Sequence, residues 1–251
     1  MKLGGLEITH KNVLPWLRLG AHELAVMARE RVGRLPPREQ RVLEHVRESV
    51  PQGDPDALLA AMDRFAREDC FLMNVGDEKG AILDRAVVDS KAGRALELGA
   101  FCGYSAVRMA RLLTAPGSRL TSVELSDARI EVARAMVAHA GLAERVRFVQ
   151  GATQEMIPTL EGPFNLVFID HDKNRYLDDL LLIEQHALLA PGAIVVADNV
   201  GMFVGMEAYL GHVRGSGLYA SVHHTATLEY GYDIADMVEV STWLGHPPAQ
   251  T

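Results

Sequence analysis

Cysteine is scarce: only Cys70 and Cys102 occur in 251 residues, with no CxxC spacing, so a disulfide framework is not expected and a reducing cytoplasm is the expected compartment. Positive charge is also in deficit. Against 33 Asp and Glu stand 25 Lys and Arg, a formal charge of −8, which argues against a broad phosphate-binding surface and against nucleic acid as a partner. No apolar run approaches the length of a transmembrane segment, and the first residues lack the continuous apolar core and small-residue cleavage site of a secretory signal. Internal repeats and low-complexity tracts are missing, and so is the GxGxxG fingerprint of a dinucleotide site. What is there is 48% hydrophobic and 23% charged, enough to bury one full core in a soluble globular chain.

Near the start, Leu14, Leu17, Ala21, Leu24 and Ala28 recur at helical spacing until Gly33 and the Pro36-Pro37 break. This predicts an amphipathic N-terminal helical extension over residues 1–35. Such a helix can cover its own domain, contact a second copy or lie on a lipid surface, and amphipathicity separates none of these. Helical patterns follow over Arg38–Val50, Pro55–Arg67 and Asp77–Val88. From Arg94 onward apolar strands alternate with helical segments: Ala95–Leu98, Leu120–Glu124, Val146–Gln150, Leu166–Asp170 and Ile194–Asp198. That rhythm predicts an α/β domain over residues 36–251, a parallel sheet with helices on both faces. A short helix near Met206–Val213 and strands at Tyr219–His224 and Met237–Thr242 end the chain, an antiparallel pair that can close the sheet.

Ligands of open α/β sheets bind at the carboxyl ends of the strands, where this pattern places Asp170, Asp198 and Asn199 together. Two carboxylates and a neutral carbonyl suit Mg²⁺, a hard cation that keeps positions open for water or substrate. Upstream, Gly99 and Gly103 frame a GxxxG strand-to-helix turn, and Glu124 ends the next strand, where its carboxylate can accept hydrogen bonds from two ribose hydroxyls. The glycine spacing favours a nucleoside without phosphates over a nicotinamide pyrophosphate. Lys173 is placed to take a proton from a hydroxyl at the metal, or else pairs with Asp172 at the surface. His171 either meets an adenine or packs, and Phe71, Met73, Phe203 and Tyr230 are pocket walls or core. His223 and His224 form no zinc pattern.

The segments Phe71–Asp77, Leu96–Leu113, Gly151–Gln154, Asp170–Lys173, Ala197–Asn199 and Leu228–Tyr230 strongly resemble the catechol O-methyltransferase family of class I S-adenosylmethionine-dependent enzymes, over about Arg38 to His246. The resemblance implies a Rossmann-like seven-stranded mixed sheet with helices on both faces and the last strand antiparallel. It implies that Val75, Glu97, Gly99, Ser105, Glu124, Leu125, Thr153, Gln154, Asp170 and His171 surround the methyl donor. It further implies Asp170, Asp198 and Asn199 as Mg²⁺ ligands, Lys173 as general base, and Glu229 with Asn199 on the second hydroxyl of a catechol. Vertebrate members carry tryptophan where Phe71 and Asp172 stand, and the loop at 200–205 differs. Asp172 is instead similar to the Asp-x-Asp-Lys run of caffeoyl-CoA O-methyltransferases, which act on larger vicinal phenols. A non-catalytic S-adenosylmethionine-binding module would need none of Asp170, Asp198, Asn199, Lys173 and Glu229 together.

Overall fold

The computed structural model describes residues 2–3, 6–7, 13–33, 35–201, 205–230 and 234–245. Its main sheet comprises β1 (Arg94–Leu98), β2 (Arg119–Glu124), β3 (Val146–Gln150), β4 (Phe164–Ile169), β5 (Leu189–Ala197), β6 (Tyr219–Thr227) and β7 (Ala235–Trp243). The spatial order is β3-β2-β1-β4-β5-β7-β6. The first five strands are parallel, and β7 runs antiparallel to both β5 and β6. The mixed sheet with an antiparallel last strand is as expected.

Helices α1 (Val13–Arg31), α2 (Arg38–Ser49), α3 (Pro55–Glu68) and α4 (Gly76–Ser90) precede the sheet. They are followed by α5 (Tyr104–Ala110), α6 (Asp127–His139), α7 (Thr153–Met156), α8 (Tyr176–Gln185) and α9 (Glu207–Gly215). Alternation along β4 divides the core. Leu166 and Phe168 join Val42, Met62, Leu83 and Val107 on one face, whereas Val167 and Ile169 join Leu180, Ile183 and Tyr209 on the other. Being covered on both faces, β4 reads as a continuous apolar run from Leu166 to Ile169.

Two boundaries differ from expectation by more than two residues. β5 begins at Leu189 rather than Ile194, because Pro191-Gly192 sits in an irregularity where the β4–β5 register shifts between Phe164 and Leu166. β6 runs on to Thr227 because it is an edge strand, and its polar His223, His224 and Thr225 are exposed. Among the described residues no helix is long and apolar enough to cross a membrane.

Candidate active site

A cavity of about 690 Å³ opens at the carboxyl ends of the parallel strands. Glu124 tips β2 and Asn199 follows β5, three inter-strand steps apart, which sets the two ends of the cavity about 14 Å from each other. Of the expected donor contacts, Gly99, Glu124, Leu125, Thr153, Gln154, Asp170 and His171 line it. Val75, Glu97 and Ser105 do not; all three are buried beside it.

The β1–α5 turn needs glycine. Gly99 has φ +98°, and a Cβ there would lie 2.3 Å from the Asp170 carbonyl oxygen, so β1 and β4 can end side by side only without a side chain. The turn's amides then grip Glu124. Ala100 and Phe101 each donate a backbone N–H to Oε2 at 3.1 Å, and Ser126 donates to Oε1 at 3.0 Å, which fixes the carboxylate toward the cavity with acceptor capacity to spare.

Glu97 is fully buried, accepts from Ser122 and Ser105, and leaves Oε1 without a partner among the described residues. Burial pushes its carboxyl up to about 7, against the pull of those two hydroxyls. His171 stacks on Tyr176 and shares a 2.7 Å hydrogen bond between Nε2 and Asp179 Oδ2, to which Thr153 Oγ1 also donates. Burial favours protonation of Asp179, but the bonds from His171 and Thr153 outweigh it and hold the carboxyl below its ordinary value. The buried Nδ1 of His171 has no hydrogen-bond partner among the described residues.

At the other end, Asp170, Asp198 and Asn199 follow directly on β4 and β5. Asp198 Oδ1 accepts from the Asn199 amide at 2.7 Å and faces Lys79 Nζ at 2.8 Å, whereas its buried Oδ2 has no described partner. Asn199 Nδ2 donates to Asp236 Oδ2 at 2.8 Å, which turns Nδ2 away from the role of ligand and leaves the amide oxygen for it. Lys79 Nζ also contacts Glu229 and lies 2.8 Å from Asp236 Oδ2. Burial raises the Asp198 and Glu229 carboxyls, with Lys79 opposing. Lys173 Nζ donates to Asp170 Oδ1 at 2.9 Å and to the Tyr176 hydroxyl at 2.6 Å, and Tyr176 donates onward to the Asp198 carbonyl at 3.1 Å.

Lys173 therefore does not pair with Asp172, which is exposed and caps the next turn by accepting from Asn174 N. Phe71 and Met73 line the cavity, whereas Tyr230 is held in the core by Asp63 and Asn74; Phe203 lies outside the described residues. Several participants escaped the sequence reading: Lys79, Asp236, Tyr176, Asp179 and, from the N-terminal helix, Leu19. Leu19 is buried against Phe71, Leu228 and Ile234 and forms part of the cavity wall.

The donor set suits both groups that the sequence implied. Among the described residues, Asp170, Asp198, Glu229 and Asp236 face two ammoniums, Lys79 and Lys173, which leaves a formal charge of −2 and an orphaned Asp198 oxygen for a divalent cation. The amide-held Glu124 and the close turn at Gly99 suit a nucleoside.

Residues 96–200 match the family described as "Methyltransferase domain". Mouse catechol O-methyltransferase is 41% identical over 213 residues, covering 83% of this chain and 79% of the mouse protein. A probable O-methyltransferase of Mycobacterium tuberculosis, Rv1703c, is 41% identical over 83% of this chain and 93% of its own length. Among solved structures, the Streptomyces achromogenes O-methyltransferase TomG in complex with S-adenosylmethionine superposes with a TM-score of 0.62 at 25% identity, over 83% of this chain and 99% of TomG. With the 3-2-1-4-5-7-6 sheet and this cavity, they establish that the chain is an S-adenosylmethionine-dependent O-methyltransferase and belongs to the catechol O-methyltransferase family.

Proposed function

We propose that the enzyme moves the methyl group of S-adenosylmethionine to one hydroxyl of a catechol in the presence of Mg²⁺. The observation that carries this reading is the charge inventory around Asp198: four carboxylates and two ammoniums leave room for two positive charges beside a cavity with apolar walls. Asp170, Asp198 and Asn199 would hold the cation. Glu124, Leu125, Thr153, Gln154 and His171 would hold the nucleoside, with Gly99 at its closest approach. Val75, Glu97 and Ser105, buried beside the cavity, would back the donor site from behind its wall. Glu229 and Asn199 would meet the second hydroxyl.

A phenol with a pKa of about 10 is mostly neutral at pH 7, so the attacking oxygen must lose its proton first. Mg²⁺, when bound, supplies the positive charge that favours the phenolate. With its own proton first released to solvent beside the bound cation, the Lys173 amine would take the phenol's proton on Nζ, held in place by Asp170 and Tyr176. The phenolate oxygen then bonds to the methyl carbon as the carbon–sulfur bond breaks, and sulfur keeps the bonding pair. Opposite charges cancel as this proceeds, so the apolar walls of Phe71, Leu228 and Leu19, which keep water away, favour the transition state. A larger vicinal phenol is the second reading, favoured by Asp172, whose short exposed side chain leaves the rim open.

The test is methyl transfer to a panel of vicinal diphenols, with and without chelator. Turnover should vanish with the chelator and return with Mg²⁺, and Asp170→Ala should lose the metal-dependent rate. Full activity of Asp170→Ala across a Mg²⁺ titration would remove the metal assignment.

A further inference from the structure

Asp198 borders two places where a cation can sit. On one side Asp198, Glu229 and Asp236 bring carboxylate oxygens within 4.8 Å of one another, a set of hard ligands like those a divalent ion takes. The chain fills that place itself. Lys79, one turn into α4, puts its ammonium 2.8 Å from Asp198 Oδ1 and 2.8 Å from Asp236 Oδ2, in contact with Glu229 as well, and its side chain is only 1% exposed. Close approach of α4 is built in, since Gly76 has φ +67° and a Cβ there would meet Glu229 Cγ at 3.1 Å. A buried lysine is costly to desolvate, and here three carboxylates compensate it. The other side of Asp198 carries the unpartnered Oδ2.

We propose that Lys79 is a resident cation that reserves the place between Asp198, Glu229 and Asp236. It limits the enzyme to one divalent ion, at Asp170, Asp198 and Asn199, and keeps Glu229 free of metal to meet the acceptor. This rests on the metal reading above and adds a positioning residue to it. Without the ammonium, three carboxylates would face one another in a dry site, and a second divalent ion sharing Asp198 would be the natural replacement, as in paired-metal sites with bridging ligands.

Electron paramagnetic resonance titration with Mn²⁺ alone counts bound ions without donor, acceptor or turnover. The wild type should bind one ion per chain, Lys79→Met two, and Lys79→Met/Asp236→Asn one again. If Lys79→Met unfolds in metal-free buffer, recovery of its fold on adding millimolar Mn²⁺ supports the same conclusion. A Lys79→Met chain that binds a single ion with wild-type affinity, or that stays unfolded in Mn²⁺, overturns it. Absence of any Mn²⁺ binding by the wild type would instead overturn the metal reading.

Discussion

Lys173 and Tyr176 act as one polar unit: the ammonium donates to the phenolic oxygen at 2.6 Å, and that hydroxyl donates to the backbone carbonyl of Asp198 at 3.1 Å. Burial first, and the nearby carboxylates second, raise the Tyr176 hydroxyl well above its ordinary value, so it stays a neutral donor. The proposed base is thereby tied to the strand end that carries the proposed metal ligands. Tyr176→Phe should lower kcat by about tenfold, the worth of one hydrogen bond of about 1.4 kcal/mol, with KM for the methyl donor unchanged. Steady-state kinetics on both substrates checks this, and an unchanged kcat would show that Lys173 needs no such tether.

Glu97 should link donor binding to pH. Its folded value of about 7 lies above the ordinary 4.5, so ionising it opposes folding. That opposition is absent below about pH 4.5, grows as pH rises toward 7 and is constant above. Glu97→Gln should therefore leave stability unchanged at pH 4 and raise it by up to about 3 kcal/mol at pH 8 in the unliganded protein. The wild type should also release a proton at pH 6.5 when the cationic donor binds, and Glu97→Gln should not. Urea denaturation across pH and calorimetry in buffers of different ionisation enthalpy read the two effects.

Gly99→Ala puts a methyl group into the Asp170 carbonyl at a backbone angle that alanine avoids. The turn must open, so Glu124 loses its amide grip. We expect at least a tenfold loss of S-adenosylmethionine affinity and a stability loss of about 2 kcal/mol. Isothermal titration of the donor alone decides, with wild-type affinity as the contrary result.

Leu19→Ala removes apolar wall at the acceptor end. KM should rise about threefold to tenfold for diphenols with apolar substituents and stay level for unsubstituted catechol, with donor affinity unchanged. Equal KM shifts for all acceptors would place Leu19 outside the contact region.

The strand ends were the most legible part of the sequence because the inner parallel strands are largely buried and read as apolar runs, and Glu124, Asp170, Asp198 and Asn199 follow from where those runs stop. The GxxxG turn was equally clear, since Gly99 and Gly103 both sit at positive φ. Partners arriving from distant sequence were not. Lys79 reads as one charge on a helix, Asp236 as a residue of a late strand, and only the tertiary fold brings them 2.8 Å apart. Asp179 and Tyr176 were hidden although they are near in sequence, their roles set by His171 eight residues earlier and Lys173 three residues earlier on the chain. The amphipathic N-terminal stripe announced a helix but not its contact, because the same pattern serves a domain face, a partner and a lipid surface.

Arg38 donates to Glu23 of α1 at 2.7 Å and, through the same Nη1, to the carbonyl of Phe71 at 2.9 Å. A single guanidinium thus ties the leading helix to the residue against which Leu19 rests. On the proposed placement of the acceptor, its preference would be retuned by substitutions in a segment that carries no reacting group, so that selectivity and chemistry would diverge independently as the enzyme evolves.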